Sequence, residues 1–91
     1  MPKYVIERNM TDVGSSTQPE LCAASQKSND VLAKLSPRVQ WQHSYVTADK
    51  IYCVYIADDV AAVREHANLA GLPANEISEV VSIIDPTTGE G

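Results

Sequence analysis

The chain has 91 residues, 44% of them hydrophobic, and carries 12 acidic against 7 basic side chains for a formal net charge of −5. That length holds one small core, and the apolar share argues against wholesale disorder. Lys and Arg are few and scattered, so there is no electrostatic footprint for a phosphate backbone or an anionic lipid. The expectation on that ground is no nucleic-acid partner. No apolar run reaches membrane length and no signal peptide precedes the first strand, so the expectation is a soluble, cytoplasmic protein with no membrane partner.

Lys3 to Arg8 reads as a strand, with Tyr4, Val5 and Ile6 supplying β propensity. Met10 to Ser16 is a polar, glycine-containing connection. Thr17-Gln18-Pro19-Glu20 is a helix start: Thr17 caps, Pro19 sits where a missing N–H is harmless, and Glu20 closes a capping box. Leu21, Ala24, Ser28, Val31, Leu32 and Leu35 then form one stripe at helical spacing. Ser36-Pro37 ends the helix, because the residue before proline is pushed out of the α region.

Val39 to Thr47 and Lys50 to Ala57 are the second and third strands, joined by a tight turn at Ala48-Asp49. Asp58 or Asp59 caps a second helix whose stripe is Val60, Val63, Ala67 and Ala70, and Gly71 with Pro73 stops it. Glu76 to Ile84 is the last strand, and residues 85–91 form a tail that is flexible or ordered by a partner.

The order is βαββαβ in a single domain spanning residues 1–91. Right-handed crossovers place both helices on one face of a four-stranded antiparallel sheet, the α+β ferredoxin-like arrangement. Such a sheet leaves one face uncovered, so a homodimer is expected. Cys22 and Cys53 fall in different elements with no CxxC spacing, which favours two free thiols in a reducing compartment.

Reactive side chains concentrate in the hairpin and the helix after it. Residues 43–66 hold both histidines, one of the two cysteines and three of the four tyrosines. A two-residue turn pairs Tyr45 with Tyr52 and His43 with Val54, putting Trp41, His43, Tyr45, Tyr52, Val54 and Ile56 on one face. A one-residue slip instead sets His43 beside Cys53 and Tyr55, and the sequence leaves both registers open. His43 and His66 are the candidate ligands for a borderline metal such as nickel, although no HxH, HxxxH or HExxH spacing is present. Trp41, Tyr45, Tyr52, Cys53 and Tyr55 are the candidates for lining an apolar pocket, or else a face packed against a second subunit.

Several segments together resemble a known family. They are His43-Ser44-Tyr45-Val46, Asp49-Lys50-Ile51-Tyr52-Cys53-Val54-Tyr55, Glu65-His66-Ala67, Gly71-Leu72-Pro73-Ala74-Asn75-Glu76-Ile77-Ser78-Glu79-Val80 and the opening Lys3-Tyr4-Val5-Ile6-Glu7-Arg8. They are similar to the small bacterial nickel-binding proteins of the SCO type, a domain long of unknown function, and the similarity runs nearly to Pro86. The resemblance implies a ferredoxin-like dimer with nickel at its surface, sequestering the metal rather than catalysing a reaction. The nickel-binding branch is richer in histidine near the glycine and final strand, where this chain has Leu72 and Ser78. The competing expectation is a small dimeric enzyme or ligand carrier. It would hold an apolar organic molecule in the aromatic pocket, with His43 or His66 as the acid–base group.

Overall fold

A computed structural model describes residues 1–91. Its strands are β1 (Lys3–Asn9), β2 (Val39–Val46), β3 (Lys50–Ala57) and β4 (Glu76–Glu79), and its helices are α1 (Gln18–Leu35) and α2 (Val60–Ala70). Short 3-10 turns occupy Val13–Ser15 and Pro86–Glu90. The strands run antiparallel in the order β2-β3-β1-β4. With both helices on one face, this is the expected ferredoxin-like α+β fold.

Strand periodicity decides which residues meet the helices. In β1, Tyr4, Ile6 and Arg8 are buried while the alternate residues are not. Across the sheet Tyr4 stands opposite Tyr55, Ile6 opposite Cys53 and Arg8 opposite Ile51, so these residues share the helix face. Val5, Glu7, Tyr52 and Val54 occupy the open face.

Both helix starts are capped by the side chains that the sequence offers. Thr17 accepts from the Glu20 N–H at 3.3 Å while its own N–H donates to Glu20 Oε1 at 2.8 Å. For α2 the cap is Asp59, which accepts from the Ala62 N–H at 2.9 Å. Gly71 ends α2 in the left-handed region at φ 68°, a conformation that favours glycine. In α2, Val63, Ala67 and Ala70 of the expected stripe are buried; Val60, in the first turn, is exposed, and Ala62 and His66 complete the buried face.

Thr47 N–H donates to the Lys50 carbonyl at 2.9 Å, closing the two-residue turn, and Tyr45 pairs with Tyr52 and His43 with Val54. This settles the register and removes the one-residue slip. One expectation about the faces fails. The ladder shifts between Trp41 and His43, so that Trp41 stands opposite Tyr55. Gln42 is the extra residue of a β-bulge, and it turns Trp41 to the helix face, away from His43 and Tyr45.

The last strand is shorter than expected. Its final ladder bond runs from the Val80 N–H to the Lys3 carbonyl at 2.8 Å. Beyond it β1 offers no further partner, so Val81, Ile83 and Ile84 are exposed. The tail carries local order of its own, since the Asp85 carboxylate accepts from the Thr87 and Thr88 N–H groups and caps the closing 3-10 turn. Hydrogen bonds from Thr87, its hydroxyl foremost, hold the Asp85 carboxyl below its usual range.

Candidate functional site

Two places hold side chains capable of chemistry, and they lie on opposite faces of the sheet. The first starts from Arg8, at the end of β1. Strand alternation aims it into the interior in phase with Tyr4 and Ile6, and only 1% of its surface is accessible. Its Nη1 donates to the Pro73 carbonyl at 2.6 Å, its Nη2 to Tyr55 Oη at 3.3 Å, and its Nε to Cys53 Sγ at 3.4 Å. All three acceptors are uncharged groups. The ion pairs of the molecule join Arg38 to Asp58 and Glu65 and Lys50 to Glu7, and none includes Arg8. Tyr55 stays protonated at any ordinary pH: burial and the neighbouring Cys53 push its hydroxyl up to about 12, with the Arg8 charge pulling the other way.

A buried guanidinium without a carboxylate is unusual, because interior charges are ordinarily paired. Arg8, with only a trace of accessible surface, also borders a cavity. The cavity, about 280 Å³ in volume, lies between α1 and the sheet, near the small end of ligand pockets, which begin at about 300 Å³. Arg8, Cys53 and Tyr55 line one side, Trp41 and Ile51 continue the sheet wall, and Leu21 forms part of the helix wall. The cavity accounts for the behaviour of the α1 stripe. Ser28, Val31 and Leu35 are buried, while Leu21 is half-buried and Ala24 exposed; the N-terminal half of the helix borders the cavity instead of closing on the sheet.

His66 lies behind this wall. It has no accessible surface, its Nε2 is 3.1 Å from Ser28 Oγ, and its ring centroid is 5.2 Å from that of Tyr55. Burial, then the charge of Arg8, holds its pKa down at about 4, against a weaker opposing effect of the Ser28 backbone. His66 is therefore neutral at physiological pH. Its Nδ1 is buried without a hydrogen-bond partner.

The second place is His43, on the open face. It is exposed and stands edge-on to Tyr45, with ring centroids 5.0 Å apart. His43 and His66 are thus separated by the sheet and do not converge within one chain. The candidate pocket set divides in the same way: Trp41, Cys53 and Tyr55 line the cavity, whereas Tyr45 and Tyr52 belong to the open face. The reason is the strand period, together with the bulge that carries Trp41 across. Cys22 is exposed on α1 and Cys53 buried, and both thiols are free.

Arg8 was not singled out by the sequence. The signal was present in the alternation Tyr4, Ile6, Arg8, which puts a cation in phase with two core residues. A strand-end arginine is ordinarily read as solvated, and only the tertiary structure shows the Pro73 segment folding over it.

A family model described as nickel responsive protein SCO4226-like matches residues 4–80. The crystal structure of SCO4226 from Streptomyces coelicolor A3(2) superposes with a TM-score of 0.76 at 22% identity, covering 90% of this chain and 99% of that one. At that identity the likeness carries the fold. No curated protein matches the chain. The extent of the family match, over most of the sequence from the first strand to the last, shows that this chain belongs to the SCO4226-like nickel responsive protein family.

Proposed function

We propose that this protein is a homodimeric, non-enzymatic nickel-binding protein that sequesters the metal in the cytoplasm, with His43 as its principal ligand. The observation that carries this reading is the exposed imidazole of His43 on an open sheet face, in a chain of a nickel responsive family. Imidazole is a good donor to nickel.

Within one chain the fit is incomplete, because no three His, Cys, Asp or Glu side chains come together. In this reading a second copy laid against the open face adds its own His43 to the site. That face suits a partner: Val5, Tyr52 and Ile56 are half-buried on it around Val54, and exposed Val81, Ile83 and Ile84 extend the apolar surface beyond β4. His66 takes no part in this site, since its ring is sealed on the other side of the sheet. Two free thiols, one of them exposed, fit a reducing compartment. No helix is long and apolar enough to cross a membrane.

The test is isothermal titration of tag-free protein with nickel beside zinc, repeated on His43→Ala and His66→Gln, with sedimentation velocity to read the assembly. Saturable nickel binding that His43→Ala abolishes and His66→Gln preserves supports the assignment. Undiminished binding in His43→Ala overturns it.

A further inference from the structure

We infer that the cavity between α1 and the sheet is a binding site for a small organic monocarboxylate with an apolar body, its carboxylate seated on Arg8. This site is independent of the metal reading, which concerns the opposite face of the sheet.

The argument begins with the donors of Arg8. A guanidinium has five N–H groups in a fixed plane, and the protein accepts from one on Nε, one on Nη1 and one on Nη2. One N–H on each terminal nitrogen is left over, and two such donors match the two oxygens of a carboxylate. The three acceptors present fix the plane of the group, so its orientation is set before any ligand arrives. Lining the cavity, the buried side chain lacks both a counter-ion and full hydrogen bonding, and a carboxylate entering from outside provides both.

The walls define the remainder of the ligand. Trp41, Leu21, Val46 and Ile51 are apolar, and they line a volume suited to a short aliphatic chain or a single substituted ring. The other polar groups at the cavity are uncharged hydroxyls, buried in Ser28 and Tyr55 and half-buried in Ser16, Ser25 and Ser44, and the His66 behind Ser28 is neutral. Arg8 is thus the only cation lining the cavity. The acidic residue among the lining residues, Glu20, is occupied at its capping box. One cation balances one negative charge, so a monocarboxylate fits where a dianionic phosphate would leave a charge uncompensated.

Trp41 is the only tryptophan of the chain and lines the cavity, so its fluorescence reports occupancy directly. The experiment titrates the full chain with octanoate and with 4-phenylbutyrate, using octan-1-ol as the uncharged counterpart of octanoate. The expected result is a saturable change in Trp41 emission with at least one acid, with octan-1-ol binding at least tenfold more weakly than octanoate. Arg8→Met, checked for folding by circular dichroism, is expected to weaken binding of the acid at least tenfold and to leave the alcohol unaffected. Should Arg8→Met not fold, Ala24→Phe fills the cavity from the helix side with Arg8 intact and is expected to abolish the saturable response. No saturable response to either acid, equal affinity for octanoate and octan-1-ol, or full binding in a folded Arg8→Met or Ala24→Phe protein overturns the inference. None of these outcomes bears on nickel binding at His43.

Discussion

Ser28 Oγ and His66 Nε2 meet at 3.1 Å, tying the middle of α1 to the middle of α2 behind the ring of Tyr55. The bond holds an imidazole whose pKa has been brought down to about 4, by burial first and by the charge of Arg8 second. In the unfolded chain the same group titrates near 6.5. Between those values the unfolded chain binds a proton that the folded chain refuses, so stability falls as pH is lowered. The loss begins near pH 6.5, is complete near pH 4 and amounts to roughly 3 kcal/mol. Urea midpoints measured from pH 7 down to 5.5, above the range in which ordinary carboxylates titrate, check the direction. His66→Gln is expected to flatten the slope, and Arg8→Met to raise the His66 pKa in an NMR titration.

Gly14 is the point at which the turn before α1 rests on the tip of the β2–β3 hairpin. Its N–H donates to the Ala48 carbonyl at 2.9 Å. A Cβ there would lie 2.8 Å from both Ala48 Cα and the Thr47 carbonyl oxygen, which are backbone atoms that cannot swing aside. Gly14→Ala is therefore expected to destabilise the fold by about 1–3 kcal/mol, a fall of several degrees or more in a thermal melt of a domain this size. Gly14→Ser should do the same; wild-type stability in both would show that the contact is dispensable.

Deleting Gln42 should be tolerated better than deleting a neighbour. Trp41 is already opposite Tyr55 and His43 opposite Val54, so removing the residue between them gives a regular ladder without moving any other side chain to a new face. Deleting Ser44 instead would turn part of β2 over. The expected outcome is a folded protein that keeps the parent's Trp41 emission after the first deletion, and loss of that signature after the second.

Ending the chain after Val80 removes residues that are all exposed in the monomer. The truncated protein is expected to keep the denaturant midpoint of the monomer and to self-associate more weakly, because Val81, Ile83 and Ile84 belong to the apolar surface assigned to the second copy. Sedimentation equilibrium of the two forms at matched concentrations checks this. Unchanged association would confine the contact to the sheet face.

Element order and both helix starts were legible because each rests on local chemistry: Thr17 with Glu20, and an aspartate before the second helix. The turn at Ala48-Asp49 was legible too, but the hairpin register was decided only by the Thr47–Lys50 bond and the pairing of Tyr45 with Tyr52. The departures arise where a distant segment decides. β4 stops at Glu79 because β1 has run out, which nothing in Val80 to Ile84 announces. Gln42 is an ordinary strand residue by composition, and its bulge reversed the face assigned to Trp41. The cavity was hidden for a related reason. Leu21 and Ala24 continue the helical stripe of Val31 and Leu35, and periodicity cannot distinguish a side chain that fills a core from one that borders a gap. The burial of Arg8 is not legible locally because it depends on Pro73, 65 positions further along the chain.

The irregularity at Gln42 has a further consequence for crowded solution. β2 is one of the two free borders of the sheet, and an unbroken border is a template on which copies stack without limit. An extra residue spoils the even spacing of outward amides and carbonyls on that side, while β4, on the other, is only four residues long. Neither border can propagate a long ladder, which leaves the flat of the sheet as the surface for a closed assembly and protects the protein from growing into fibres.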